Sequence, residues 1–181
     1  MVGTATRWPW RRRVLPAALS VALGPDELVQ AIADCVDGRT LAASRFGLWI
    51  VDGEDAKRIG WQLIAKARLT ARVLAITPCS VVGQLVDGTE VLVDEPVLEF
   101  TLAGRTGLTD VVHTRVRRSV AASRHLPFPG TGGWVVLRRV PGTDGLTRQV
   151  RLDPGADARV PGFAEAVAAM AVELASAKIA D

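Results

Sequence analysis

Short apolar runs separated by Asp-Gly turns fill residues 28–102 of this 181-residue chain and constrain its fold most strongly. The first run, residues 28–36, has a period of two and is followed by Asp37-Gly38. An Asp-Gly pair between two such runs is a strong hairpin signal, because both residues tolerate the left-handed backbone of tight turns. The next run, residues 40–51, ends at a second predicted turn, Asp52-Gly53, and further runs cover residues 58–61, 73–77, 90–93 and 97–102. The series predicts a curved antiparallel sheet or a partly open barrel.

Three other segments show helical spacing. Leu108, Val112, Val116 and Val120 recur every four residues, which predicts an internal amphipathic helix that begins after Thr106 and continues to Pro127. Residues 15–23 predict a short N-terminal helix and residues 162–179 a C-terminal one, with two strands at 134–140 and 146–152. The chain is therefore assigned to the α+β class, as a basic arm with a short helix (1–25) followed by one domain (26–181).

Composition excludes several classes of protein. Hydrophobic residues make up 49% of the chain and charged residues 23%, which excludes a disordered polypeptide. No apolar run is long enough for a transmembrane helix. The two cysteines, Cys35 and Cys79, are too few for a disulfide framework, so reduced and buried thiols are expected.

The N-terminus resembles an export signal only superficially. A basic stretch, Arg7–Arg13, precedes the apolar Val14–Leu23, but Pro16 interrupts that run and no small-x-small cleavage site follows before Pro25. We therefore expect a cytoplasmic protein, either free or peripheral to a membrane. In the peripheral case the basic arm, with Trp8 and Trp10 as anchors, would contact an anionic surface.

Positive charge is concentrated in one internal block. Residues 105–151 hold nine arginines and two acidic residues, a net charge of +7, whereas residues 26–104 have a net charge of −5. A basic block of this kind is typical either of ordinary solvated surface or of a site for phosphate-rich partners. If the hairpin that follows the internal helix packs beside it, several guanidinium groups converge. The candidate anion-binding residues are Arg115, Arg117, Arg118, Arg124, Arg138, Arg148 and Arg151.

Catalytic and metal-binding patterns are lacking in the sequence. There is no Gly-x-Ser-x-Gly elbow, and the histidines and cysteines have no metal-ligand spacing. Cys79 with His125 is the one thiol–imidazole combination to consider, against a structural thiol. The glycine-rich segments 104–107 and 129–133 are interpreted as turns in preference to phosphate-binding loops. The sequence therefore predicts no catalytic residue, no cofactor and no metal, and hence a protein that is not an enzyme.

Several short sequence motifs occur together in a known arrangement. They are Arg11–Arg13 before Leu15-Pro16, Ser44–Trp49, Arg58–Trp61, a helix that ends with Ser123–Pro127, and the basic strand after Trp134. With them the chain resembles a family of small actinobacterial proteins with a pleckstrin-homology-like barrel. The resemblance implies a fold and no particular activity. Residues 62–68 depart from the acidic strand that the family has after its R-I-x-W phrase, so a partner is not inferred by analogy.

Two functional hypotheses follow. The first is an adaptor module that recognises a protein partner through an edge strand or the C-terminal helix. The alternative is a module that binds an anionic ligand, a lipid headgroup or nucleic acid, through the arginines of residues 105–151. An enzyme with an unrecognised pocket and a homo-oligomer are the remaining options.

Overall fold

A computed structural model describes the backbone of residues 14–179 and the side chains of residues 14–177. This part of the chain forms three α-helices and eleven strands, which confirms the α+β class with N-terminal, internal and C-terminal helices. In chain order they are α1 (Ala17–Ala22), β1 (Val29–Asp34), β2 (Thr40–Ser44), β3 (Gly47–Asp52), β4 (Asp55–Gly60), β5 (Ile64–Thr70), β6 (Val73–Gln84), β7 (Glu90–Asp94), β8 (Leu98–Thr101), α2 (Leu108–Ser119), β9 (Val120–Phe128), β10 (Thr131–Arg138), β11 (Thr147–Leu152) and α3 (Phe163–Ile179). The basic arm and its two tryptophans, Trp8 and Trp10, lie outside the described residues.

The first four strands form an antiparallel meander in the order β1-β2-β3-β4. Two of its turns contain the predicted Asp-Gly pairs, and their glycines, Gly38 and Gly53, have φ angles of +91° and +58°. Such angles are readily adopted by glycine because it lacks a Cβ. The run of residues 40–51, predicted as one strand, is split between β2 and β3 by a turn at Arg45-Phe46. The hairpin predictions are thus confirmed.

The other seven strands form a second sheet, in the order β5-β6-β7-β11-β10-β9, with β8 beside β6. Strand β6 is the link: its first half pairs with β5 and β8, and its second half pairs with β7. All these pairs are antiparallel except β7 with β11. The sheet curls, which agrees with the predicted curved sheet or partly open barrel.

Two main hydrophobic cores lie on either side of β6. The first fills the space between the meander, β5, β8 and helix α2, with Trp61, Phe100 and Leu108 fully buried in it. The second lies where Phe163 and Val167 of α3 pack against one face of strands β7, β9, β10 and β11. A smaller cluster places α1 on the outside of the meander. Near β10, one face of the second sheet therefore packs against α3, and the other face borders a cavity.

The prediction that the internal helix continues to Pro127 is wrong. Helix α2 ends at Ser119, and Val120 already has extended angles, φ −83° and ψ 118°. The next nine residues are β9, which pairs with β10 from Val120 opposite Arg138 to Phe128 opposite Thr131. Proline is tolerated at position 127 because β9 is the outer strand of the sheet, where a missing N–H breaks no ladder.

Candidate anion-binding site

A cavity of about 130 Å³ lies on the inner side of the curled second sheet. Six of the seven strands, all but β8, contribute a side chain to its wall, so the sheet curves around it. Gln62, from the 3₁₀ turn that precedes β5, closes one side. The polar wall residues are Gln62, Ser123, Arg138, Gln149 and Arg151. Small apolar side chains supply most of the remainder.

Strand alternation decides which side chains reach this cavity. On β10, Trp134, Val136 and Arg138 face it, whereas Val135 and Leu137 belong to the core beneath α3. The residues of β11 pair in register with β10 and alternate in the same way. Side chains at every second position of this hairpin, among them Arg138 and Arg151, therefore face the cavity, and the residues between them face the other way.

Arg138 is the most unusual side chain of the wall, because it is a cation that is only 6% exposed. Its Nη1 donates a hydrogen bond to Ser119 Oγ at 2.7 Å and its Nη2 donates one to the Ile64 carbonyl at 3.3 Å. Its Nε–H has no acceptor, and no carboxylate of the described residues forms an ion pair with it. Burial, reinforced by the charge of Arg151, lowers the pKa of Arg138. An arginine nevertheless stays charged at neutral pH, so this is a buried charge without a counter-ion among residues 14–177.

The second cation of the cavity is Arg151, and it is partly neutralised. Its Nη1 lies 3.5 Å from Asp94 Oδ1. The same carboxylate oxygen accepts a hydrogen bond from the Cys79 thiol at 3.4 Å. Gln149, next to Arg151 on the same face, donates from Nε2 to Glu90 at 2.8 Å. The positive charge of this wall therefore comes chiefly from Arg138.

Cys79 does not form the thiol–imidazole pair that the sequence left open. Burial, with the hydrogen bond to Asp94 and its negative charge, raises the pKa of Cys79 to about 12. Its thiol is therefore protonated at neutral pH, and a thiol is a poor nucleophile. His125 instead contacts Asp153, with Nε2 at 2.8 Å from the carboxylate. Cys79 and Cys35 are both buried and free, as expected.

The rim of the cavity carries an aromatic pair. Trp134 is 39% exposed, and its ring lies 5.4 Å from that of His125. An exposed indole at a pocket mouth offers an apolar wall to a ligand and a spectroscopic reporter to an experiment.

The seven predicted arginines do not converge on one surface. Arg138 and Arg151 meet at the cavity. Arg115 and Arg118 line a shallow groove beside α2, where Arg115 Nε donates to Gln30 Oε1 at 3.0 Å, and Arg117 is exposed on the same helix.

The remaining two arginines form surface ion pairs. Arg124 Nη1 lies 2.8 Å from Glu173 of α3, and Arg148 Nη1 lies 3.0 Å from Asp87. Both residues are on the face of the sheet opposite the cavity, since they pair with Val135 and Leu137 of β10. Exposed pairs of this kind contribute little free energy, and their charges are already matched.

Gln62 is the site residue that sequence reasoning missed. Its Oε1 is buried and has no hydrogen-bond partner. Within the described part of the chain, this atom and Arg138 Nε are the two buried side-chain polar atoms that have no hydrogen-bond partner. Both residues line the same cavity. A signal for Arg138 existed, because it directly follows the apolar Val135-Val136-Leu137, but none existed for Gln62.

Other sequence candidates have structural roles. The segment 129–133 contains the turn between β9 and β10, with Gly130 at φ +77°, and residues 104–107 form the loop before α2. Among residues 14–179, no group of three or more His, Cys, Asp or Glu side chains is placed to hold a metal ion. In the same range no helix is long and apolar enough to cross a membrane.

Comparison of the chain with protein-family models, with curated proteins and with solved structures found no match.

Proposed function

We propose that this chain is a non-catalytic binding module that holds a small anionic group in the cavity of its second sheet. The observation that supports the proposal is the guanidinium of Arg138, which is buried and has a free Nε–H but no carboxylate partner among residues 14–177. A buried charge that is not paired costs several kcal/mol, so proteins rarely keep one without a use.

An anion in the cavity would remove this cost. Its oxygen would accept the hydrogen bond of Arg138 Nε–H and neutralise the guanidinium, and a hydrogen bond between two charged groups is stronger than one between neutral groups. Arg151, on the neighbouring strand, supplies a second set of donors from the same wall. The anion would therefore interact with protein groups that are already positioned.

This site supports the second of the two sequence hypotheses, a module that binds an anionic ligand. The binding site it supports is a small cavity and not a broad basic surface. A surface patch would need the seven arginines free and close together, yet Arg124 and Arg148 are engaged in ion pairs elsewhere. A cavity of about 130 Å³ fits one small group, not a nucleic-acid backbone. Recognition of a protein partner, a cytoplasmic location and self-association stay predictions of the sequence.

Calorimetric titration of the full chain with acetate, propionate and inorganic phosphate tests the proposal. We expect saturable binding of at least one of these anions, weakened about tenfold or more in Arg138→Met. Arg151→Met should also weaken it. Arg148→Met is the matched control, because Arg148 belongs to the same strand as Arg151 and faces the other way; it should change the affinity by less than about twofold.

The proposal is overturned if neither these three anions nor lactate nor N-acetylalanine binds the wild-type chain saturably. It is equally overturned if Arg138→Met, with an unchanged circular dichroism spectrum, binds them as well as the wild type does.

A further inference from the structure

Two buried side-chain polar atoms of the described residues lack a hydrogen-bond partner, and they have opposite character. Arg138 Nε–H is a donor, and Gln62 Oε1 is an acceptor. The two residues that carry these atoms both contribute to the wall of the cavity on the second sheet, although the atoms themselves are covered by protein. Because buried polar groups in folded proteins are nearly always paired, two exceptions among the residues of one cavity make that cavity the place to search for a ligand.

A simple anion would satisfy only one of them. A carboxylate or sulfate accepts hydrogen bonds and donates none, so it would leave Gln62 Oε1 unpaired. An adjacent N–H or O–H on the same molecule would donate to that oxygen. A ligand that pairs with both atoms must therefore carry an anionic oxygen next to an N–H or O–H donor.

Among the described residues, the one unpaired positive charge on the cavity wall, that of Arg138, favours a monoanion over a dianion. Arg138 and Arg151 contribute two positive charges, and Asp94 beside Arg151 contributes one negative charge. Glu90, hydrogen-bonded to Gln149, adds a further negative charge close to the wall. A dianionic phosphate would be repelled by these carboxylates, whereas a single carboxylate matches the unpaired guanidinium.

The rest of the wall favours a short carbon skeleton. Leu92, Val136 and Val120 are apolar, and the volume of about 130 Å³ is close to that of a benzene-sized cavity. A free ammonium group on the ligand would face two arginines, which disfavours an unmodified amino acid.

Resting on the proposed anion-binding function, we propose that the ligand is a small carboxylate flanked by an N–H or O–H donor. Two sources carry this chemistry: a free 2-hydroxy or N-acylated 2-amino acid, and the C-terminal residue of a polypeptide. In both, the carboxylate binds Arg138 and the adjacent donor binds Gln62 Oε1.

Calorimetric titrations with four probes test the ligand class. Propionate has the carboxylate alone, lactate adds an O–H, and N-acetylalanine adds an N–H. Inorganic phosphate, titrated at about pH 9 where it is chiefly the dianion, is the fourth probe. We expect lactate and N-acetylalanine to bind the wild-type chain about tenfold more tightly than propionate, the effect of one additional buried hydrogen bond.

Variants at position 62 assign that preference to Gln62. In Gln62→Met the ratio of the propionate and N-acetylalanine dissociation constants should fall towards one. In Gln84→Met, a matched change at an exposed glutamine of β6, the ratio should stay as in the wild type. Gln62→Glu introduces a carboxylate into the wall of the same cavity, where its negative charge repels an anionic ligand, so all carboxylate probes should bind more weakly. This second variant keeps the test valid if Gln62→Met folds poorly.

The outcomes separate the two proposals. If propionate or phosphate binds as tightly as N-acetylalanine, or if Gln62→Met keeps the wild-type ratio, the ligand class is wrong and the anion-binding function stands. If no probe binds, the function itself fails.

A peptide distinguishes the two sources. N-acetyl-Gly-Ala-Ala with a free carboxylate should bind more tightly than N-acetylalanine if the ligand is a polypeptide C-terminus, and more weakly if it is a free acid. Either order supports the shared chemistry. Equal binding of the corresponding C-terminal amide would overturn it, because the amide has no anionic group.

Discussion

The buried guanidinium of Arg138 makes opposite contributions to binding and to stability. It would attract an anion, but in the unliganded chain its charge lacks a counter-ion among residues 14–177 and its Nε–H lacks an acceptor. Functional positions commonly carry a cost of this kind, which is removed when the residue is replaced by an apolar one of similar shape.

We therefore expect Arg138→Met to raise the free energy of unfolding by about 1 kcal/mol while it weakens anion binding. Removing the charge outweighs the loss of the hydrogen bonds to Ser119 and to the Ile64 carbonyl. Urea unfolding followed by circular dichroism measures the change. A decrease of more than about 1 kcal/mol would show that Arg138 is a structural brace.

Glu27 is the other buried charged residue that the structure reveals, and it is fully partnered. It is 6% exposed and accepts hydrogen bonds from Ser44 Oγ and from Trp49 Nε1, the latter at 2.8 Å. Arg58 Nη1 lies 2.7 Å from its other oxygen. Burial alone would raise the pKa of Glu27, but these hydrogen bonds and the Arg58 charge outweigh it and place the pKa below 4.5.

A lowered carboxylate pKa stabilises the fold at neutral pH and loses that effect in acid. The contribution of Glu27 is fully present above its ordinary pKa of 4.5 and disappears as the pH falls through the lower folded value. We expect Glu27→Gln to lose about 2 kcal/mol at pH 7, since it removes a charge that three donors require. Its unfolding free energy should also vary less below about pH 5 than that of the wild type.

Urea titrations between about pH 3 and pH 7 measure this dependence. Glu54→Gln, at an exposed turn, is the matched control and should follow the wild-type curve. A Glu27→Gln curve parallel to the wild type would contradict the assignment.

At the scale of elements, the meander depends on a close approach of β3 and β4. A Cβ added at Gly47 would lie 2.3 Å from the carbonyl oxygen of Ile59, a backbone atom that cannot rotate away. We expect Gly47→Ala to destabilise the fold by about 2 kcal/mol through the displaced strand. In Gly83→Ala the added methyl group meets nothing within 4 Å, so its midpoint of urea unfolding should stay close to that of the wild type. Equal midpoints for the two variants would argue against this close contact.

The elements that the sequence predicted well are those with local signals. Asp37-Gly38 and Asp52-Gly53 form turns where they were expected, because the residue types themselves select that backbone. Residues 120–128 lack such a signal: Val120 continues the helical spacing, and the pairing with β10 that makes the segment a strand is a tertiary contact. Residues 64–70, which form β5, were not recognised for the same reason.

The candidate site was predictable only in outline. The sequence indicates that residues 105–151 are basic, but a count of charges does not distinguish among the seven candidate arginines of this block. The register of β10 with β11 and the curl of the sheet bring Arg138 and Arg151 to one cavity and send Arg148 to the opposite face. Gln62 reaches that cavity from a segment far away in sequence, so its role depends on the whole fold.

At the scale of the whole molecule, β6 connects the two main cores. Its first half belongs to the sheet around Trp61 and Phe100, and its second half pairs with β7, which packs beneath α3. Arg138 adds a second connection, because it sits on β10 and donates to the carbonyl of Ile64 at the start of β5. The two cores are therefore linked through one strand and one buried hydrogen bond.

This arrangement predicts one cooperative unfolding transition for residues 14–179. The indole N–H signals of Trp61, in the first core, and of Trp134, at the cavity of the second sheet, should disappear at the same urea concentration in NMR spectra. Glu27→Gln, a change confined to the meander, should lower the midpoint of both signals equally. If Trp134 kept its wild-type midpoint while Trp61 shifted, the two sheets would be independent folding units, and β6 would have to unfold in halves. An equal shift of both signals would show that the two sheets unfold together. An anion bound at Arg138 would then stabilise the meander as well, since a ligand that binds only the folded state stabilises everything that unfolds with its site.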